Sequence, residues 1–192
     1  MITHFFVVSK SKFFSTMNLF LIGFMGCGKS TVGKHLADQL HKNLIDLDAF
    51  IEARQSKKIT EIFASEGESA FRQIEHNALQ EVCKSENQVI SVGGGAPCFH
   101  NNMQWMNQNG ITIYLKLSAL ALSERLNNLP KQARDSRPLI ANKTKDELYD
   151  FICMMLEKRE HFYNQSKLIV MNEEADPTIA IGRIATALKY TN

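Results

Sequence analysis

The chain has 192 residues, enough for one compact domain with a sizeable core. Its formal net charge of +2 and its lack of a basic stripe argue against a nucleic-acid partner, whose phosphates would need many cations. No apolar run approaches the roughly 20 residues of a membrane-spanning helix, so we expect no membrane association. The cysteines are scattered without the spacing of a zinc site, so we expect reduced thiols in a cytoplasmic protein.

The sequence of residues 1–16 predicts a loosely ordered extension ahead of the folded domain. Their apolar run at 5–8 is short and precedes two lysines, whereas a signal peptide places its basic residues first. Met17 stands directly before the first convincing strand. We therefore expect residues 17–192 to form a single domain.

Short apolar runs alternate with stretches of helical spacing over the rest of the chain. The runs predict five buried strands, at residues 18–22, 44–48, 89–92, 111–117 and 168–171. Apolar residues three or four positions apart predict helices at 29–40, 49–56, 60–64, 68–84, 102–108, 118–126 and 145–164, and Pro177 opens a last one. This alternation predicts an α/β fold in which helices cover both faces of a parallel sheet, a three-layer α/β/α arrangement.

A phosphate-binding motif lies between the first strand and the first helix. Residues 23–30 read GFMGCGKS and fit GxxxxGK[ST] at every position. The glycines let backbone N–H groups face a phosphate, Lys29 reaches the β- and γ-phosphates, and the Ser30 hydroxyl is a ligand for Mg²⁺. A GTPase would also need an NKxD motif, and the partial match at 142–145 has lysine in place of the aspartate. The motif therefore predicts a site for MgATP.

Two acids end the second predicted strand, and open parallel sheets bind ligands at that end. Asp46 is a candidate to hold a water on Mg²⁺, and Asp48 is a candidate to accept the proton of a substrate hydroxyl. The alternative is that both are solvated acids that cap the next helix.

Two arginines and a run of glycines are candidates for the acceptor site. Arg72 and Glu75 are three residues apart on a predicted helix. Either they form an ordinary surface ion pair, or Arg72 binds a substrate carboxylate. Three glycines at 93–95 favour close approach of a ligand to the backbone. Arg159 lies on a later helix, where a solvated helix face is the alternative.

The polar stretch at about 127–143 is longer than most loops of compact domains and predicts a mobile lid. Arg137 in this stretch is a candidate to cover the γ-phosphate and stabilise the charge that develops during transfer. Arg134 is a second candidate for this role. The other alternative is that Arg137 is a solvated charge on the loop.

Together the motifs resemble those of shikimate kinases over about residues 17–189. The resemblance rests on their order and separations, namely GFMGCGKST at 23–31, the two aspartates, FRxxE at 71–75, the triple glycine, RPL at 137–139 and REHFY at 159–163. It implies a P-loop kinase fold with sheet order 2-3-1-4-5, an acceptor-binding region at about 48–84 and a lid at about 127–143. It also implies a monomer that transfers the γ-phosphoryl group of ATP to the 3-hydroxyl of shikimate, in aromatic amino acid biosynthesis.

The resemblance also implies roles for individual residues. It places the nucleotide on the phosphate loop and two arginines: Gly26, Cys27, Gly28, Lys29, Ser30, Thr31, Arg137 and, along adenine, Arg125. It places shikimate on Asp48, Arg72, Gly93, Gly94, Gly95 and Arg159, with the two arginines on the carboxylate. It makes Lys29, Asp48 and Arg137 catalytic, and assigns Mg²⁺ to Ser30 and Asp46.

One segment departs from the family pattern. The family often has an arginine in the last loop that contacts adenine, and residues 172–177 contain none, so the adenine contacts there stay open. A kinase of another polyol acid such as gluconate, a nucleoside monophosphate kinase and a non-catalytic nucleotide-binding module are the alternatives. The triple glycine and the two arginine motifs disfavour the first, and the second would need an acceptor pocket that recognises a base. The presence of Lys29, Asp48 and a lid arginine disfavours the third.

Overall fold

The structure is a computed structural model that describes residues 16–135, 137–174 and 176–190. Its strands are β1 (Asn18–Ile22), β2 (Asn43–Asp46), β3 (Gln88–Ser91), β4 (Gly110–Lys116) and β5 (Leu168–Met171). They form one sheet in the order β2-β3-β1-β4-β5, and all neighbouring strands are parallel. The predicted α/β class and sheet order are confirmed. The predicted extension lies outside the described residues, apart from Thr16.

Helices connect the strands in the part of the chain that the structure describes. They are α1 (Lys29–Leu40), α2 (Leu47–Gln55), α3 (Ile59–Val82), α4 (Asn102–Asn109), α5 (Ala119–Asn127), α6 (Lys131–Asp135), α7 (Lys145–Tyr163) and α8 (Pro177–Tyr190), and a 3₁₀ turn spans Ala96–Cys98. Side-chain caps fix the first residues of two predicted helices. Ser118 Oγ accepts the Ala121 N–H at 3.3 Å, and Thr144 Oγ1 accepts the Glu147 N–H at 3.3 Å. Among these helices, none is long and apolar enough to cross a membrane.

Two hydrophobic cores lie on opposite faces of the sheet. Alternate residues of β1 point to opposite faces, so Leu19 and Leu21 join one core and Phe20 and Ile22 join the other. The first core also contains residues of α1, α5, α7 and α8, and the second contains residues of α2, α3 and α4. The three-layer arrangement expected from the strand and helix order is therefore present.

The second strand is shorter than predicted, because the next helix begins early. The Asp46 side chain accepts the Ala49 N–H at 3.1 Å and so caps α2. Asp48 consequently lies in the first turn of α2 instead of on the strand. The helix-capping alternative is right for Asp46, and the capping carboxylate still lines the cleft described below.

Two other predicted elements need correction. The helices expected at 60–64 and 68–84 are continuous as α3, apart from a kink at Gly67, whose φ of 82° is left-handed. The helix also begins one residue before the expected start, at Ile59, where the Glu61 carboxylate accepts the Lys58 N–H at 2.6 Å. The stretch at 127–143, expected to be a structureless loop, contains α6.

Candidate active site

The carboxyl ends of β1, β2 and β3 open into a cleft of about 390 Å³. Its lining contains most of the predicted site residues and consists of Met25, Gly26, Gly28, Lys29, Ser30, Thr31, Asp46, Asp48, Ser91, Val92, Gly93, Gly94 and Arg137. Met25, Ser91 and Val92 are the members of this lining that the sequence did not single out. The predicted residues outside the lining are Cys27, Arg72, Gly95, Arg125 and Arg159. The cleft therefore joins the phosphate motif, the two acids and the glycine run, which are far apart in sequence.

The phosphate motif forms a tight turn that ends at the start of α1. Gly28 has a φ of 98°, a left-handed conformation that suits glycine, and a Cβ there would lie 2.9 Å from the Asn172 side-chain nitrogen. Among the described residues, no side chain caps the start of α1, whose first residues line the cleft. The unpaired N–H groups and the positive end of the helix dipole therefore face the cleft, which suits a phosphate.

Lys29 lies across the turn that precedes it. Its Nζ donates hydrogen bonds to the carbonyl oxygens of Gly23 at 2.8 Å and Phe24 at 3.1 Å. Its third donor makes a longer contact, 3.8 Å, with the Cys27 Sγ, a weak acceptor that an anion in the cleft can replace. The contacts hold the charge at the mouth of the phosphate-binding turn.

Asp48 is the acid best placed for proton transfer. It reaches water through the cleft, yet protein atoms surround it on most sides, and this desolvation raises the pKa of its carboxyl group. The neighbouring Asp46 carboxylate raises this pKa further, while the cations of Lys29 and Arg72 oppose the rise. A raised pKa makes Asp48 a stronger proton acceptor in its ionised form.

Arg72 and Glu75 form a buried ion pair, which excludes the surface-pair alternative. Arg72 Nη1 donates to Glu75 Oε2 at 2.8 Å, and the two side chains are 10% and 1% exposed. The other edge of the guanidinium donates to Glu68 Oε1, from Nη2 at 3.0 Å and from Nε at 3.3 Å. Two carboxylates therefore fix the arginine within the plane of its guanidinium group.

We expect Glu75 to make stability depend on pH. Burial raises the pKa of Glu75 to about 7, although Arg72 opposes the rise. The native state then binds more protons than the unfolded state between the ordinary pKa of 4.5 and about 7, so the free energy of unfolding falls as pH rises across this window. Glu75→Gln keeps an oxygen acceptor for Arg72 but cannot bind the proton. It should therefore remove this pH dependence of the free energy of unfolding, a slope of up to about 1.4 kcal/mol per pH unit.

Urea unfolding of both proteins across this window measures the slope. Glu81→Gln is the matched control, because Glu81 lies on the same helix with a 38% exposed side chain and should leave the slope unchanged. A Glu75→Gln variant with the wild-type slope would contradict the assignment.

The three glycines leave room for charged side chains. A Cβ on Gly93 would lie 2.9 Å from Asp48 Oδ1, and a Cβ on Gly95 would lie 2.6 Å from Arg72 Nη2. A Cβ on Gly94 would lie 3.5 Å from Arg159 Nη1. The glycine run is thus the place where Asp48 and both predicted acceptor arginines meet, although the arginines lie beside the cleft lining.

The arginines of the predicted lid have different surroundings. Arg134 donates from Nε to the Ile140 carbonyl at 3.3 Å and from Nη2 to the Lys143 carbonyl, so it holds the backbone of its own segment. Arg137 lines the cleft, where its Nη1 donates to the Ala133 carbonyl. Of the two, Arg137 faces the site.

The loop after β5 is tied to the phosphate turn. Asn172 is 3% exposed, and its side chain donates to the Cys27 carbonyl at 2.7 Å. The Arg125 side chain donates to the carbonyls of Asn172 at 2.7 Å and Glu174 at 2.8 Å. Arg183 of α8 pairs with Glu174 at 2.6 Å. Asn172 and Arg183 are not among the predicted site residues, although Arg183 is an arginine that follows the 172–177 loop closely in the sequence.

Comparisons with known proteins identify the family of this fold and cleft. The family model described as shikimate kinase matches residues 25–189. The chain belongs to the shikimate kinase family. The shikimate kinase of Azobacteroides pseudotrichonymphae genomovar. CFP2 is 51% identical over 152 residues, which cover 79% of this chain and 87% of that protein.

Solved shikimate kinase structures resemble the chain over nearly its full length. The enzyme from Bacteroides thetaiotaomicron has a TM-score of 0.85 and 42% identity, and the match covers 91% of this chain and 99% of that one. The enzyme from Acinetobacter baumannii in complex with shikimate has a TM-score of 0.81 and 28% identity, covering 94% of this chain and 97% of that one. The predicted family is confirmed, and with it the expectation of an ATP-dependent kinase.

Proposed function

We propose that this chain transfers the γ-phosphoryl group of ATP to the 3-hydroxyl of shikimate, giving shikimate 3-phosphate and ADP in aromatic amino acid biosynthesis. The observation that carries the proposal is the meeting of the phosphate turn, Asp48 and Arg72 at the glycine run, within a chain of the shikimate kinase family. The protein acts as a cytoplasmic monomer without a nucleic-acid or membrane partner.

The nucleotide binds along the phosphate turn and the start of α1. Backbone N–H groups of residues 26–31 hold the phosphates. Cys27 is 1% exposed and its N–H donates to the Phe24 carbonyl at 3.2 Å, so it shapes the turn more than it contacts the phosphates. Lys29 and Arg137 bring positive charge to the β- and γ-phosphates. Arg125 lies along adenine, in a position set by the carbonyls of the loop after β5.

Ser30 and Asp46 are suited to hold Mg²⁺. Both line the cleft, and a hydroxyl and a carboxylate supply the oxygen ligands that this ion prefers. Because Mg²⁺ is usually held by few protein groups together with substrate phosphates, two such residues are sufficient. Bound there, the ion neutralises phosphate charge.

The acceptor binds on the other side of the cleft. Arg72 and Arg159 hold the carboxylate of shikimate, and the bare backbone of residues 93–95 admits its ring hydroxyls. Asp48 accepts the proton of the 3-hydroxyl as that oxygen attacks the γ-phosphorus. Lys29 and Arg137 stabilise the charge of the transferring group, and residues 127–143 close over the cleft as a lid that excludes water.

An acceptor panel tests the proposed reaction. Release of ADP is measured with MgATP and shikimate, quinate, gluconate or a nucleoside monophosphate. We expect strong turnover with shikimate alone. Turnover with a different acceptor would overturn the substrate assignment, and ATP binding without turnover of any acceptor would favour a nucleotide-binding module.

We expect Gly95→Ala to weaken acceptor binding. The new Cβ would displace the Arg72 guanidinium, which two carboxylates hold in place, while the φ of −87° at residue 95 accommodates alanine. The KM for shikimate should rise about tenfold, the cost of weakening one charged hydrogen bond, with little change in the KM for ATP.

Gly182→Ala on α8 is the matched control, because its added Cβ would meet no atom of the described residues within 4 Å, apart from its own helix backbone and its two chain neighbours. Steady-state kinetics of both variants measure the KM for shikimate and the KM for ATP. A normal shikimate KM in Gly95→Ala would show that Arg72 moves freely or does not bind the acceptor.

A further inference from the structure

The 3₁₀ turn after the glycine run leads into a phenylalanine that the proposed reaction has not used. Phe99 follows Ala96–Cys98 and is 36% exposed. The central carbon of the Arg72 guanidinium lies 4.4 Å from the centre of the Phe99 ring. The rings of Phe71 and Phe63 are farther from that carbon, at 5.2 Å and 5.9 Å. At 4.4 Å the ring attracts the cation.

The backbone directly after Phe99 is strained. His100 has a φ of 49° and Asn101 a φ of 56°, so two successive residues other than glycine adopt the left-handed conformation. Side chains disfavour this conformation, and it persists where surrounding contacts impose it, often beside functional sites. The strain is thus an independent sign that the direction of this turn matters.

Asn102 holds the strained turn against α3, the helix that carries Arg72. This asparagine is 0% exposed, and its Nδ2 donates to the Ala96 carbonyl at 2.9 Å. Its backbone N–H donates to the Phe99 carbonyl at 2.9 Å. Its Oδ1 accepts from Nδ1 of His76, one helical turn beyond Arg72, at 2.6 Å. These contacts fix the backbone that carries Phe99 against α3, with the ring centre 4.4 Å from the guanidinium carbon.

The carboxylates around Arg72 leave one motion of the guanidinium unopposed. Glu75 and Glu68 accept hydrogen bonds from its edges, which fixes its direction within its own plane. Edge contacts resist tilting out of that plane only weakly, whereas a ring against one face blocks it. The ring also keeps water from that face, which strengthens the charged hydrogen bonds that the edges make.

We propose that Phe99 is a positioning residue for acceptor recognition: it covers one face of the Arg72 guanidinium and holds that group in the plane in which it binds the substrate carboxylate. The inference rests on the proposed function, in which Arg72 binds the carboxylate of shikimate. Phe99 acts through Arg72 and needs no contact with the substrate.

Steady-state kinetics of Phe99→Leu and Phe99→Tyr test the inference. In Phe99→Leu the KM for shikimate should rise about 5- to 20-fold, as loss of a partly desolvated cation–π contact implies. The kcat and the KM for ATP should change by less than about twofold. Phe99→Tyr, which keeps the ring, should restore the shikimate KM. An unchanged KM in Phe99→Leu, or an equal loss in Phe99→Tyr, would overturn the proposal.

A double-mutant cycle with Arg72→Lys separates positioning from a general structural effect. Lysine keeps the charge but has no planar group for the ring to hold in one plane, so the effect of Phe99→Leu on the shikimate KM should be clearly smaller in that background than in the wild type. Additive effects would overturn the proposal. Phe50→Leu is the matched control, because the Phe50 ring lies 5.4 Å from the guanidinium carbon of Arg54 outside the cleft.

Two further results separate this inference from its foundation. If Phe99→Leu does not fold, Phe99→Met replaces it with the same expected outcomes. Wild-type protein that does not phosphorylate shikimate would overturn the proposed function and this inference together. Active wild-type protein with a normal Phe99→Leu variant would overturn the inference alone.

Discussion

Asp48→Asn should lower the kcat for shikimate phosphorylation by about 10²- to 10⁴-fold, the contribution of a general base. Asparagine has nearly the same shape, so the cleft should keep its form and the KM for ATP should stay within about twofold. The structural reason is the position of Asp48 in the first turn of α2, where it lines the cleft beside Gly93. Steady-state kinetics with each substrate varied in turn measure the effect.

The pH profile of the same variant adds a second test. Asp48 must be ionised to accept a proton, so wild-type turnover should fall as pH falls through its raised pKa. That acid limb should be absent from the residual activity of Asp48→Asn. Asp38→Asn on the exposed side of α1 is the matched control and should behave as wild type. Near-normal turnover in Asp48→Asn would remove Asp48 from its proposed role.

Arg159→Ala should raise the KM for shikimate by about 10- to 150-fold, the loss expected for a charged hydrogen bond to a carboxylate. Its Nη1 would lie 3.5 Å from a Cβ on Gly94, and its guanidinium carbon lies 5.9 Å from the ring centre of the buried Phe24. Arg159 therefore stands at the acceptor side of the phosphate turn. The KM for ATP should change far less.

Arg54→Ala serves as the control for the loss of an arginine. Arg54 is 60% exposed and pairs with Glu81 on the surface, so its removal should leave both KM values unchanged. Calorimetric titration of Arg159→Ala with shikimate and with ATP measures each affinity directly. Equal losses for both ligands would mean that Arg159 has a structural or shared role.

Local sequence patterns were sufficient to predict much of the fold. The apolar run at 18–22 is β1, and the helical spacing at 29–40 is α1, since both elements are bounded by glycines that end a strand or begin a turn. The strand-helix alternation predicted a parallel sheet with helices on both faces, and the resemblance to shikimate kinases implied the sheet order. The end of β2 was misplaced because a single hydrogen bond from Ala49 to the Asp46 side chain starts α2 early.

The parts of the site that the sequence did not predict depend on contacts between distant segments. Asn172 meets the carbonyl of Cys27 across 145 positions of sequence, and no local pattern near either residue signals that pairing. The ring of Phe99 meets Arg72 only because the turn at 96–102 folds back on α3. The FRxxE pattern did predict the Arg72–Glu75 pair, but its burial depends on the packing of the whole second core.

The most direct test of the central claim is to identify the product by phosphorus and proton NMR after incubation with MgATP and shikimate. We predict a single new phosphate ester, coupled to the proton at carbon 3 of shikimate, formed in equal amount with ADP. ADP release without a phosphorylated shikimate, or a phosphate on a different hydroxyl, would contradict the assignment of Asp48 and the two arginines to the acceptor site.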